Sequence, residues 1–155
     1  MAELTEGVKA PDFKLETDTG ESLKLSSLKG KNVVLYFYPK SDTPGCTTQA
    51  CGLRDEFPKF GKLDAVILGV SPDPVQKQAK FKEKYDLPFT ILADVDKEVA
   101  QAYGVWVEKS MYGRKYMGNE RTTFIIGKDG KIAKIFWKVK PAEHTKLVVD
   151  ALKSL

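Results

Sequence analysis

The sequence predicts an α/β domain in which a central mixed β-sheet is flanked by helices, and three observations carry that expectation. Residues 32–38 (NVVLYFY) are apolar, β-branched and aromatic almost throughout, which suits a central strand covered on both faces. Residues 65–70 (AVILGV) repeat that character, with a helical stretch between the two runs, so strand, helix and strand form a right-handed crossover. Ahead of them, alternation around Phe13, Leu15 and Thr17, a turn at Thr19-Gly20, and resumption at Leu23 and Leu25 mark an N-terminal β-hairpin.

The remaining elements follow in order. Leu28-Lys29-Gly30 closes a short helical turn, and the crossover helix is expected from Cys46 to about Phe57. A helix over 75–85, a short strand over 89–92, and a helix over 97–103 ended by Gly104 come next, with Asp96 expected as the N-cap of the last. Two strands over 122–126 and 131–137, joined by Gly127-Lys128-Asp129-Gly130, precede a final helix over 142–152 that turns Leu147 and Ala151 to one face. Residues 109–116 (KSMYGRKY) are expected as a solvated basic loop.

A chain of 155 residues buries roughly 70% of the surface its unfolded form exposes, enough for a real core. No repeat, linker or shift in composition divides it, so residues 1–155 are expected to form a single domain. With 25 Lys and Arg against 21 Asp and Glu the net charge is +4, a mild excess carried almost wholly by lysine. The only arginines are Arg54, Arg114 and Arg121, so the guanidinium tools of nucleic-acid recognition are scarce and no nucleic acid is expected as partner. The segment MAELTEGVKAPDF has neither a basic leader region nor an apolar one, and no stretch approaches the roughly 20 apolar residues of a membrane span, so a cytoplasmic location is expected.

Chemistry gathers at Cys46 and Cys51, the only cysteines. Cys46 follows the central strand and a Pro-Gly-containing loop, which places it in the first turn of the crossover helix, where unpaired amides and the helix dipole favour a thiolate. The spacing Cys46, Ala50, Leu53, Phe57 puts its sulfur on the inward stripe. In an intact helix Cys51 is rotated from it by about 140°, with a Cα separation near ~8.6 Å, beyond the ~7 Å a disulfide tolerates. A bond between them requires local unwinding, which Gly52 eases by about 1 kcal/mol relative to alanine.

The motif Pro39-Lys-Ser-Asp-Thr43-Pro-Gly-Cys46 resembles the PxxxTxxC active-site motif of peroxiredoxins, and Cys46-Thr-Thr-Gln-Ala-Cys51 is similar to the paired cysteines of their bacterioferritin comigratory, or Q-type, subfamily. Further matches run through the chain: Ala10-Pro-Asp-Phe13, Tyr36-Phe-Tyr, Arg54-Asp55, Gly69-Val-Ser71, Leu92-Ala-Asp94, Gly104-Val-Trp106 and Arg121-Thr-Thr-Phe124. The resemblance implies a thioredoxin-like fold and a thiol peroxidase for hydrogen peroxide and small organic hydroperoxides, without metal, haem, flavin or other cofactor. It implies a peroxidatic Cys46, a resolving Cys51, a Thr43 that hydrogen-bonds thiolate and peroxide, a shielding Pro39, and an Arg121 whose charge meets the leaving oxygen. Thioredoxin or a similar dithiol protein would recycle the disulfide, and the resemblance leans toward a monomer.

Other readings stand beside these. Cys51 can instead be a packing residue in a one-cysteine enzyme, Arg54 a surface ion pair with Asp55, and Gln49 a departure from the glutamate the family commonly carries there. His144, the sole histidine, is expected to be exposed at the start of the last helix and to pair with neither cysteine. A thiol-disulfide oxidoreductase of the same fold lacks its usual C-x-x-C here, and a non-catalytic interaction module would use the basic 109–116 segment, which otherwise helps a reductant dock.

Overall fold

The computed structural model describes residues 4–155. The predicted hairpin forms from β1 (Lys14–Thr17) and β2 (Ser22–Lys24), with Leu15 opposite Leu23 and a turn in which Gly20 takes a positive φ of 85°. A single 3₁₀ turn, Leu25–Leu28, leads into β3 (Asn32–Phe37), buried at every position. Helix α1 (Pro44–Asp55) and the short α2 (Phe57–Lys62) cross to β4 (Ala65–Ser71), which lies parallel to β3. Helix α3 (Val75–Tyr85), β5 (Thr90–Ala93), α4 (Glu98–Ala102), β6 (Trp106–Met111), β7 (Arg114–Asn119), β8 (Thr122–Ile126), β9 (Ile132–Phe136) and α5 (His144–Lys153) complete the order.

Seven strands form one mixed sheet in the order β2-β1-β5-β4-β3-β8-β9, with β3 to β5 parallel and the hairpin and β8-β9 antiparallel at the flanks. Strand alternation divides the core between the two faces. Val34, Tyr36 and Tyr38 pack with Ala50 and Leu53 of α1, Phe60 of α2, Phe81 of α3, and Val148 and Leu152 of α5. Val33, Leu35 and Phe37 pack on the other face with Leu68, Leu92, Tyr103 and Phe124, beneath Val99 and Ala100 of α4. This mixed sheet flanked by helices is the predicted thioredoxin-like architecture.

The differences from the sequence reading are local and have physical causes. Helix α1 begins two residues early because Pro44 occupies its first turn, where a missing N–H costs nothing, and Pro58 in the first turn of α2 separates that helix from α1. The helix expected over 97–103 is capped by Asp94, not Asp96. The Asp94 carboxylate accepts from the N–H groups of Val99 (3.3 Å) and Ala100 (2.8 Å), while Lys97 takes the left-handed conformation, φ 59°, just ahead of the helix. Burial pushes the Asp94 carboxyl up against those two amide bonds, which pull it down.

Residues 109–116, expected as a loop, form most of a β6–β7 hairpin closed by Tyr112 and Gly113, both at positive φ, the two-residue turn that matches strand twist. Solvent on both faces erased the alternation that would have marked these strands. On α5, Leu147 proves exposed; the inward stripe is His144, Val148, Val149, Ala151 and Leu152. His144 is therefore buried, contrary to the sequence reading, because α5 starts beneath α1 instead of in solvent.

Candidate active site

The loop after β3 starts from Tyr38, whose N–H donates to Val70 O, passes Pro39 and Lys40, and reaches Asp42 in the left-handed region at φ 60°. Thr43 then caps α1 through its backbone, accepting from the Thr47 N–H at 2.8 Å. Its hydroxyl donates to Lys40 O at 2.8 Å and not to Cys46. With its hydrogen committed there, Thr43 Oγ1 still offers lone pairs to an O–H donor such as a peroxide.

Cys46 occupies the first turn of α1 and is 1% exposed, reduced, and directed into the core with Ala50 and Leu53, as the spacing predicts. Arg121, in the short connection between β7 and β8, lies across from it: Nη1 is 3.5 Å from Cys46 Sγ and donates to Gln49 Oε1 at 2.7 Å. Strand register delivers the arginine there. Thr122 pairs with Phe37 at the end of β3, so the residue before Thr122 lies beside the residues after Phe37, and Val139 N–H donates to the Arg121 carbonyl. Gly45 leaves the room; a Cβ there would come within 2.9 Å of Arg121 Nη2. The sequence reading passed over Gly45, although a glycine just ahead of a candidate nucleophile is the signal for such a close approach.

Gln49 is fully buried, and its neutral amide orients Arg121 without placing a counter-charge on it. A glutamate would pair its own charge with the guanidinium; the glutamine leaves that positive charge for the sulfur. Cys51 is half-buried and unbonded on the same continuous helix as Cys46. Beside it, Gly52 has a second reason to be glycine: a Cβ would meet Thr145 Oγ1 of α5 at 2.6 Å.

Arg54 does not reach Cys46. It pairs with Asp55 at 3.0 Å, and its Nη1 donates to Tyr85 O at 2.7 Å, fastening the last turn of α1 to the C-terminal end of α3. On β6, burial holds the Lys109 ammonium below the usual lysine range, Glu120 opposes that, and Arg121 adds to it. Among the described residues no group of three or more His, Cys, Asp and Glu side chains is placed to hold a metal, and no helix is long and apolar enough to cross a membrane.

His144 lies behind this region, with Nε2 2.7 Å from Thr123 Oγ1 and its ring 5.6 Å from that of Tyr36. Burial, aided by the charge of Arg121, pushes its pKa down to about 3. The folded value lies below the ordinary ~6.5, so this histidine contributes fully to stability above that value and loses the contribution as pH falls toward 3. Between pH 7 and pH 5 the loss is about 2 kcal/mol. Urea midpoints at the two pH values are expected to show it in the wild type and not in His144→Gln; equal losses in both proteins would place the proton uptake elsewhere.

Fold and sulfur–guanidinium pairing together define a class, the thiol-dependent peroxidases built on a thioredoxin-like sheet. The chain belongs to the AhpC/TSA family, whose pattern matches residues 7–135, and its relatives within it are peroxiredoxins. It is 52% identical over 149 residues to peroxiredoxin Bcp of Bacillus subtilis (96% of this chain, 95% of the relative) and 44% identical over 153 residues to peroxiredoxin Bcp of Escherichia coli K12 (99% and 98%). Among solved structures it is similar to peroxiredoxin Q of Xanthomonas campestris, with TM-score 0.90, 37% identity, and 96% and 97% of the two chains covered. Membership brings peroxide substrates and a thioredoxin-type reductant.

Proposed function

We propose that the chain acts as one thioredoxin-like domain, monomeric and cytoplasmic, that reduces hydrogen peroxide and small organic hydroperoxides through Cys46 and Cys51. The Cys46 thiolate attacks the nearer peroxide oxygen, the O–O bond breaks, and the leaving oxygen takes a proton to depart as water or an alcohol, with Cys46 left as the sulfenic acid. The Cys51 thiol then attacks Cys46 sulfur, a disulfide forms and water leaves. A thioredoxin-type dithiol exchanges with that disulfide and returns both thiols.

The observation that carries this reading is Arg121 Nη1 at 3.5 Å from the sulfur of a buried, first-turn cysteine. A fixed cation there meets the charge that develops on the departing oxygen. Thr43 accepts the peroxide O–H, and Pro39, with no donor of its own, keeps water from the sulfur. Because α1 is continuous through both cysteines, the disulfide forms only after its first turns unwind. The direct test is a single turnover of reduced protein with one equivalent of hydrogen peroxide: peroxide loss and the loss of both thiols should coincide, and consumption at the rate of an ordinary free thiol would sink the assignment.

The β6–β7 hairpin is assigned to docking of the reductant. It exposes Met111, Tyr112, Tyr116 and Met117 beside Arg114 and Lys115. Reversing the charges of Lys109, Arg114 and Lys115 together is expected to raise KM for the dithiol reductant roughly tenfold and to flatten its salt dependence. Unchanged reductase turnover would remove the hairpin from that role.

A further inference from the structure

Outside the cysteine site, one buried side chain uses its whole hydrogen-bonding capacity. Gln78, on α3 and fully buried, accepts at Oε1 from Tyr38 OH (2.7 Å) and from Ser41 Oγ (2.8 Å). Its Nε2 donates to Ser71 Oγ (2.7 Å) and to the Leu92 carbonyl (3.1 Å). Leu92 O can only accept, so the amide nitrogen must face it and the amide has one orientation. Ser71 Oγ donates in turn to Asp73 Oδ2 (2.6 Å), and the same carboxylate oxygen accepts the backbone N–H of Ser41 (2.7 Å). The bonds close a ring, Ser41 to Gln78 to Ser71 to Asp73 and back to Ser41.

Ser41 lies in the loop between β3 and α1, two residues after Pro39 and two before Thr43. The next residue, Asp42, holds its left-handed backbone with a carboxylate that accepts from Lys84 Nζ (2.9 Å) and Tyr85 OH (2.7 Å), both near the C-terminal end of α3. Helix α3 and the turn leading into it thus act as a template for the loop, although neither carries a residue of the cysteine site.

We propose that Gln78, together with Asp73, is a positioning residue for the peroxidase reaction, gripping Ser41 and thereby setting Pro39 and Thr43 over Cys46. This rests on the site reading given under Proposed function. Attack on an O–O bond requires the peroxide in line with the sulfur, and a loop displaced by about 1 Å can cost ~100-fold in rate. Nucleophilic attack of the same thiolate on a small alkylating agent makes no such demand on the loop. Because the ring is one connected network, its members act together and not additively.

The experiment compares Gln78→Met, Ser41→Ala and the double variant with wild type in two assays on reduced protein: the second-order rate of Cys46 with hydrogen peroxide, and its alkylation by iodoacetamide. Each single variant is expected to lower the peroxide rate about 10- to 100-fold and the alkylation rate by less than about twofold, and the double variant is expected to be no slower than Gln78→Met. Lys77→Ala, on the exposed face of α3, is expected to leave both rates at the wild-type value. A wild-type peroxide rate in the variants, or alkylation falling in step with it, overturns the proposal. If Gln78→Met does not fold, Ser41→Ala decides alone, because it removes one hydroxyl and keeps the N–H bond to Asp73. A wild type as slow with peroxide as a free thiol overturns the site reading and this inference with it; the slow protein is then the parent and not the variant.

Discussion

Cys46→Ser is expected to lower the rate of peroxide consumption by at least about 10⁴-fold, as loss of the attacking atom does in other enzymes that work through a side-chain nucleophile. What remains in that variant is the slow reaction of the half-buried Cys51 thiol. Cys51→Ser should behave differently. Its first turnover proceeds at the wild-type rate, because Cys51 lies further along α1 and makes no bond to Arg121, yet the sulfenic acid accumulates because no thiol captures it. Stopped-flow peroxide consumption read together with a sulfenic-acid reagent separates the two variants. A Cys51→Ser protein that turns over steadily with a dithiol reductant would show that an external thiol resolves Cys46 and that Cys51 only packs.

Arg121→Met is expected to lower the same rate by about 10²- to 10³-fold, the usual effect of removing one preorganised electrostatic partner of the transition state. The substitution keeps most of the side-chain volume, so Gly45 still has a neighbour, but Cys46 loses its cation and Gln49 its donor. Arg121→Lys should recover part of the rate: an ammonium supplies the charge but cannot reach sulfur and Gln49 Oε1 with a rigid planar fork. A wild-type second-order rate with hydrogen peroxide in Arg121→Met would assign the arginine to structure.

Much of the frame was legible because its signals are local. The N-terminal hairpin follows from alternation around a glycine turn and β3 from an unbroken apolar run. The first-turn position of Cys46 was legible for the same reason, since it follows the loop after β3, although Pro44 starts the helix two residues earlier than expected. What failed were contexts that local pattern does not contain. The β6–β7 hairpin has solvent on both faces and so no period; Asp94 caps α4 because β5 buries it there; His144 is polar by type, yet the start of α5 is covered by α1. The ring that grips Ser41 left no sequence signal, because Ser41 meets partners 32 and 37 positions further along the chain.

By itself, then, the sequence determined a cysteine in the first turn of a helix after a central strand, two thiols that an intact helix holds apart, and, through the Pro39 to Cys46 motif, a resemblance to peroxiredoxins that nominated Arg121. Only the tertiary structure decided that Arg121 reaches the sulfur, that Gln49 holds it there, and that α3 templates the loop. Helix starts, turns and amphipathic stripes depend on residues a few positions apart, whereas these contacts join residues 37 to 75 positions apart. They come into being only when the β3–β8 register and the packing of α1 and α3 on one face of the sheet bring those residues together.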